Sequence, residues 1–162
     1  MTRRGLTIVD ALVSLSICAM LLVGVAAAFN ASSAAVNAND QFFRASQAAR
    51  ISLEQMLREI RRANAIVDVS TDGKQVRLIS SDGVQLCYRW DSTSTPTRLL
   101  LIDEDAAETF TLARDVSQVT FEADKEPGPG GALRYTRVSA TIVVTIGNNQ
   151  VRLTGSAAPR RV

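Results

Sequence analysis

The chain has 162 residues, 46% of them hydrophobic, with 18 Lys and Arg against 16 Asp and Glu, a formal net charge of +2 and no His. That length holds one modest domain plus an extension, and the near balance of charge, with no Lys/Arg cluster interleaved with aromatics, argues against a nucleic-acid surface. The two cysteines lie far apart, Cys18 inside an apolar run and Cys87 in a strand-like run. A zinc site and a Cys/His or Ser/His nucleophile pair are thereby excluded, no metal or cofactor is expected, and each thiol reads as a small buried hydrophobe.

From Ala11 to Phe29 there is no charge, and Leu6 to Val9 extend the run at its front. This makes roughly the 20 residues a helix needs to cross a bilayer. Arg3 and Arg4 precede it, which by the positive-inside tendency keeps the N-terminus in the cytoplasm and sends the rest outside. Asp10 stands near the start of the run. A carboxylate in a membrane helix costs about 2.5–3.5 kcal/mol and is rarely left without a partner. Three readings leave it unexplained: a cleavable signal peptide with Ala26-Ala27-Ala28 before the cut, an uncut signal anchor, and a lipoprotein signal at Leu15-Ser16-Ile17-Cys18. In the last of these, Ile17 is bulkier than the residue such processing wants before the Cys.

The stretch Arg3-Arg4-Gly5-Leu6-Thr7-Ile8-Val9-Asp10-Ala11-Leu12-Val13-Ser14-Leu15 resembles the N-terminus of type IV pilins and type II secretion pseudopilins. The resemblance implies a basic leader ending at Gly5, a cut by a membrane prepilin peptidase between Gly5 and Leu6, and methylation of the new amino terminus on Leu6. It makes Asp10 the acid at the fifth mature position, one methylene shorter than the family's usual Glu, and Leu6 stands where Phe or Met is common. In the family's arrangement that acid meets the terminal amine of a neighbouring subunit. Ion pairing of this kind in a low-dielectric bundle is strong and sets axial register.

Beyond Phe29 the small, polar stretch Asn30 to Asp40 is either a linker or a weak part of one long helix, since Asn, Ser and Asp compete with the backbone for hydrogen bonds. From Gln41 a helical period returns, with Phe42, Ala45, Ala49, Leu53, Met56, Leu57 and Ile60 on one face. That stripe reads as core packing against a sheet, and Asn64 as the helix stop. A helix from Leu6 to Ala63 would be about 85 Å long at 1.5 Å per residue.

Residues 65–162 read as six to eight antiparallel strands. Thr71-Asp72-Gly73 and Ser81-Asp82-Gly83 are turn signals. Val84, Leu86, Tyr88 and Trp90 alternate with Gln85, Cys87 and Arg89, so Tyr88 and Trp90 are expected to face inward. Runs follow at Arg98–Ile102, Thr109–Leu112 and Val116–Ala123, then a loop from Glu126 to Gly131. Val138, Ala140, Ile142, Val144 and Ile146 form an inward face, Gly147-Asn148-Asn149 turns the chain, and Val151 and Leu153 return it as a hairpin. This order of elements resembles the J-type minor pseudopilins and related minor pilins.

Three further groups are candidates on chemistry alone. Asp103-Glu104-Asp105, with Glu108, is the one acidic cluster, but its spacing lacks the alternating ligands and Gly of an EF-hand, so it reads as a solvated turn in preference to a calcium site. Arg61-Arg62 read as surface charge that a neighbouring subunit or DNA could meet. Tyr88 and Trp90 read as core anchors before interface residues.

The expected fold is α+β: a long N-terminal helix, half membrane-embedded and half amphipathic, packed on a C-terminal antiparallel sheet domain. The expected divisions are a leader at 1–5, a membrane and assembly segment at 6–29, an amphipathic continuation at 30–64 and a β domain at 65–162. The resemblance implies a non-enzymatic subunit that primes or caps a filament. Its partners would be the prepilin peptidase, other major and minor subunits and the membrane, with no small-molecule substrate and with nucleic acid only in a DNA-uptake machine. It would sit in the cytoplasmic membrane with its C-terminal domain outside, then at a filament tip or base. The alternative is a secreted β-domain, cut near Ala28, that binds an extracellular ligand.

Overall fold

The computed structural model describes residues 8–127 and 133–160. It has one long helix followed by an antiparallel β-domain of two sheets, an α+β fold. The chain divides into two compact units, Met1–Asp40 and Gln41–Val162. Helix α1 covers Ile8–Arg62, so residues 30–40 are helical and the weak Asn- and Ser-rich stretch is not a linker. Gly5 and Leu6 lie outside the described residues.

In the first unit the large apolar side chains of the helix are exposed among the described residues. Ile8, Leu15, Met20, Leu22 and Phe29 are exposed. Cys18 is exposed too, which corrects its expected burial: it lies on the same uncharged helical stretch whose described side chains are exposed.

In the second unit α1 changes character. Ala45, Ala49, Ser52, Leu53, Met56, Leu57 and Ile60 are buried at three- and four-residue steps, with Phe42 packed at the margin. This is the expected stripe with Ser52 added. Its hydroxyl donates to Ala48 O at 2.8 Å and to Leu112 O at 3.2 Å, which satisfies the group where it is buried. The helix ends where Asn64 turns away, its amide N–H bound to Ile79 O and its side-chain Nδ2 donating to Ser80 O at 3.1 Å.

Eight strands follow among the described residues: β1 (Ala65–Val69), β2 (Gln75–Ile79), β3 (Gln85–Asp91), β4 (Arg98–Asp103), β5 (Glu108–Arg114), β6 (Val116–Pro127), β7 (Leu133–Ile146) and β8 (Asn149–Ala157). The first five form one sheet in chain order and the last three a second, every pairing antiparallel. Gly73 (φ 67°) and Gly83 (φ 88°) take the left-handed backbone their turns demand. Gly147 (φ 58°) opens the two-residue turn between Ile146 and Asn149, where a tight hairpin favours glycine.

Two boundaries differ from expectation. Glu126 and Pro127 belong to β6, paired with Arg134 and Leu133, because the partner strand is long enough to extend the ladder past the Gly/Pro-rich composition. Val84 falls in the turn before β3, its carbonyl accepting from Ser80 N–H at 2.9 Å.

The core gathers the inner faces of both sheets over the second part of α1. Tyr88, Met56, Ile60, Leu78, Leu99 and Ile142 are its largest fully buried side chains. Val138, Ala140, Ile142 and Val144 are all buried, as the alternation in β7 requires. Trp90 is half-buried. Cys87 and Leu100 are buried although they lie on the face opposite Tyr88 and Leu99. Beside Cys87 the Arg77 Nε–Glu104 Oε1 ion pair spans 3.0 Å, and burial, with Glu104 adding to it, pushes the thiol pKa up.

The junction of the two sheets rests on hydrogen bonds. Phe121 N–H donates to Gly73 O at 2.7 Å. The Trp90 indole N–H and the Thr97 hydroxyl both donate to Val116 O, at 3.1 and 2.7 Å. Tyr135 OH donates to Asp68 Oδ1 at 3.2 Å.

Candidate functional site

The candidate site is the apolar part of α1 that carries Asp10. A membrane-crossing helix must satisfy its polar groups within itself, since lipid offers no partner. Ser14 Oγ donates to Asp10 O at 2.8 Å and Ser16 Oγ to Val13 O at 2.8 Å, so both serine hydroxyls of the run close back onto the helix. The backbone N–H groups are used by the helix itself. The segment is long and apolar enough to cross a membrane, and none of that stretch is buried in the protein. A membrane anchor and a signal sequence both meet this description.

Asp10 lies in the first turn of the described helix. Its side chain is exposed on the same apolar helix as Leu12, Val13 and Leu15.

The other candidates resolve into structural roles. Asp103 Oδ1 accepts from Asp105 N–H at 3.0 Å and Ala106 N–H at 2.9 Å, while Asp105 Oδ2 accepts from Gln85 N–H at 2.9 Å and Glu104 pairs with Arg77. The three adjacent carboxylates thus bind separate groups: two turn amides, the Arg77 guanidinium and the Gln85 amide. Among the described residues no group of three or more His, Cys, Asp or Glu is placed to hold a metal ion. Arg61 and Arg62 are exposed in the last turn of α1, where cations complement the helix dipole. Tyr88 is fully buried with no partner for its hydroxyl among the described residues, and burial, with Glu59 adding to it, drives its pKa far upward.

Sequence reasoning missed Asp91. Its Oδ1 accepts from Thr93 N–H at 3.0 Å, Thr93 Oγ1 at 2.6 Å and Ser94 N–H at 3.3 Å, while Oδ2 accepts from Ser94 Oγ. The Ser94 and Thr93 hydroxyls, with the loop amides, hold its pKa well below the usual carboxylate range. The signal was the Asp-Ser-Thr-Ser run, which is a local capping pattern.

Two grooves flank the second part of α1. One, of about 380 Å³, is lined by residues that include Arg44, Ala48, Leu112 and Asp115. The other, of about 370 Å³, is lined by Phe43, Ser46, Gln47, Arg50, Val151 and Leu153.

Compared with known proteins, the chain matches no family model, no curated protein and no solved structure.

Proposed function

We propose that the protein is a minor pilin or pseudopilin, a filament subunit made as a membrane-held precursor. The prepilin peptidase cuts between Gly5 and Leu6, Leu6 becomes the methylated N-terminus, and Asp10 becomes the acid that meets a neighbour's terminal amine. The protein is a substrate of that enzyme and no enzyme itself. Its partners are the other subunits and the cytoplasmic membrane, with the β-domain outside.

One observation carries this reading. A single helix supplies an uncovered apolar segment bearing one carboxylate and, from Gln41 on, the core helix of a β-domain. A signal sequence is discarded after export and has no reason to hold a carboxylate. A helix retained for assembly has one.

The secreted alternative rests on Ala26-Ala27-Ala28 within the same run. N-terminal sequencing of the mature protein separates the readings. A chain that starts at Leu6 supports the filament subunit. A start near Phe29 supports the secreted β-domain, and a chain retaining Met1 to Gly5 after co-expression with a prepilin peptidase ends the proposal.

A further inference from the structure

β5 is the last strand of the five-stranded sheet and pairs with β4 alone, so its far edge has no strand on it. Such an edge is a template for another chain unless something covers it. Helix α1 touches it at one point, where the Ser52 hydroxyl donates to Leu112 O. Earlier in the helix, Gln41, Arg44, Ala45 and Ala48 stand on one face. A groove of about 380 Å³ lies between them and the stretch from Thr111 to Asp115. One wall is thus an open strand edge. The other is a helix face whose two alanines leave room for a side chain. An extended peptide entering there can add to the sheet through its main chain and place alternate side chains against the helix.

Charge selects the occupant. Arg44 and Arg114 line the groove, against Asp115. Arg114 stands directly opposite Arg98 in the β4–β5 register, and like charges so placed repel. Neither Arg98 nor Arg114 has an ion pair among the described residues, and Arg98 Nε is buried there without a hydrogen-bond partner. Asp91, opposite Arg98 on β3, gives its carboxylate to Thr93 and Ser94. The chain's own acidic turn is spent as well, since Asp103, Glu104 and Asp105 hold internal partners. This end of the sheet therefore calls for an anion from outside. We propose that the groove takes an extended segment of a partner protein as an added strand on β5, with a carboxylate of that segment paired to Arg114 in the field of Arg98 and Arg44. The inference uses nothing from Gly5, Leu6 or Asp10, so its failure leaves the filament reading untouched.

Short random peptides displayed on phage are selected against the full chain held in lipid nanodiscs, and the enriched sequences are synthesised as probes. The expected sequences carry an Asp or Glu among alternating apolar residues. Bound, they slow amide exchange along Glu108–Arg114. Arg114 is exposed, so Arg114→Glu keeps the thermal midpoint of the parent while weakening the binding about tenfold or more. Methylating the main-chain nitrogens of a probe abolishes its binding, as strand addition requires. No enrichment, enrichment of basic or uncharged sequences, unchanged exchange in β5, or binding indifferent to the charge reversal overturns the proposal. Protection of β5 that grows with protein concentration in the absence of any probe makes a second copy the occupant and overturns it equally.

Discussion

Gly155 of β8 lies so close to Leu57 of α1 that a Cβ at position 155 would overlap Leu57 Cδ1, with Leu53 Cδ2 at 3.7 Å behind it. Leu57 is buried, so its side chain must shift within a packed core to make room. Gly155→Ala is therefore expected to destabilise the β-domain by about 1–3 kcal/mol, the range for overpacking. In the Leu57→Ala background the same substitution should cost clearly less, because the overlapping atom is gone. Urea midpoints of the four proteins in this cycle measure the difference, and additive costs would contradict the contact.

Tyr88 presents the opposite case, a polar atom with nothing to bind. Its hydroxyl is buried and without a partner among the described residues, so deleting it removes a desolvation cost and no described hydrogen bond. Tyr88→Phe should be neutral or stabilising by about 1 kcal/mol. The raised pKa gives a second check. At pH about 11, above the ordinary phenol value, the variant and the parent should show the same phenolate absorbance, because Tyr88 in the parent is still protonated. A lower absorbance in the variant would mean that Tyr88 titrates as an exposed phenol.

Asp91 makes the stability of the β3–β4 turn depend on acid. The folded protein holds this carboxyl below its ordinary range, so the unfolded chain takes up the proton first as pH falls. The contribution is complete above the unfolded value of about 3.9 and is lost as the pH falls from there through the lower folded value. Asp91→Asn should therefore weaken the protein at pH 7 and flatten its loss of stability in acid. Denaturation midpoints at several pH values down to strong acid test this. Parallel curves for parent and variant would remove Asp91 from the account.

Asp10 carries the functional prediction. Asp10→Ala should still be cut between Gly5 and Leu6, since the cleaved bond precedes it, while filament initiation falls by about tenfold for each 1.4 kcal/mol of lost pairing. Asp10→Glu keeps the charge and should retain assembly. Cutting is read by mass and initiation by counting filaments in a reconstituted system. Unimpaired initiation by the alanine variant would deny Asp10 its role in register.

Much of the architecture is legible in the residues because helix and strand impose periods of their own. The three- and four-residue steps from Phe42 to Ile60 name the buried face of α1. The alternation from Val138 to Val144 and the turn at Gly147 name the last hairpin without reference to any other part of the chain. Asp10 stands out for a similar reason: a charge in an uncharged run is visible wherever the run goes. The Gly5–Leu6 bond is likewise a feature of the sequence, and it lies outside the described residues.

Position in space is a different kind of information. Nothing in the order of residues says that β6 runs against Gly73 and Trp90, that Ser52 meets Leu112, or that Gly155 meets Leu57. Cys87 and Leu100 alternate onto the face opposite Tyr88 and Leu99, yet both are buried. The number of sheets, the burial of the Tyr88 hydroxyl and the sorting of hydroxyls around Asp91 also follow from contacts between residues distant in sequence or from the exact path of a turn. Local periodicity is set by each segment's own backbone geometry. Which faces meet is decided only when all the apolar surfaces are buried together, and that sum is made in the tertiary structure.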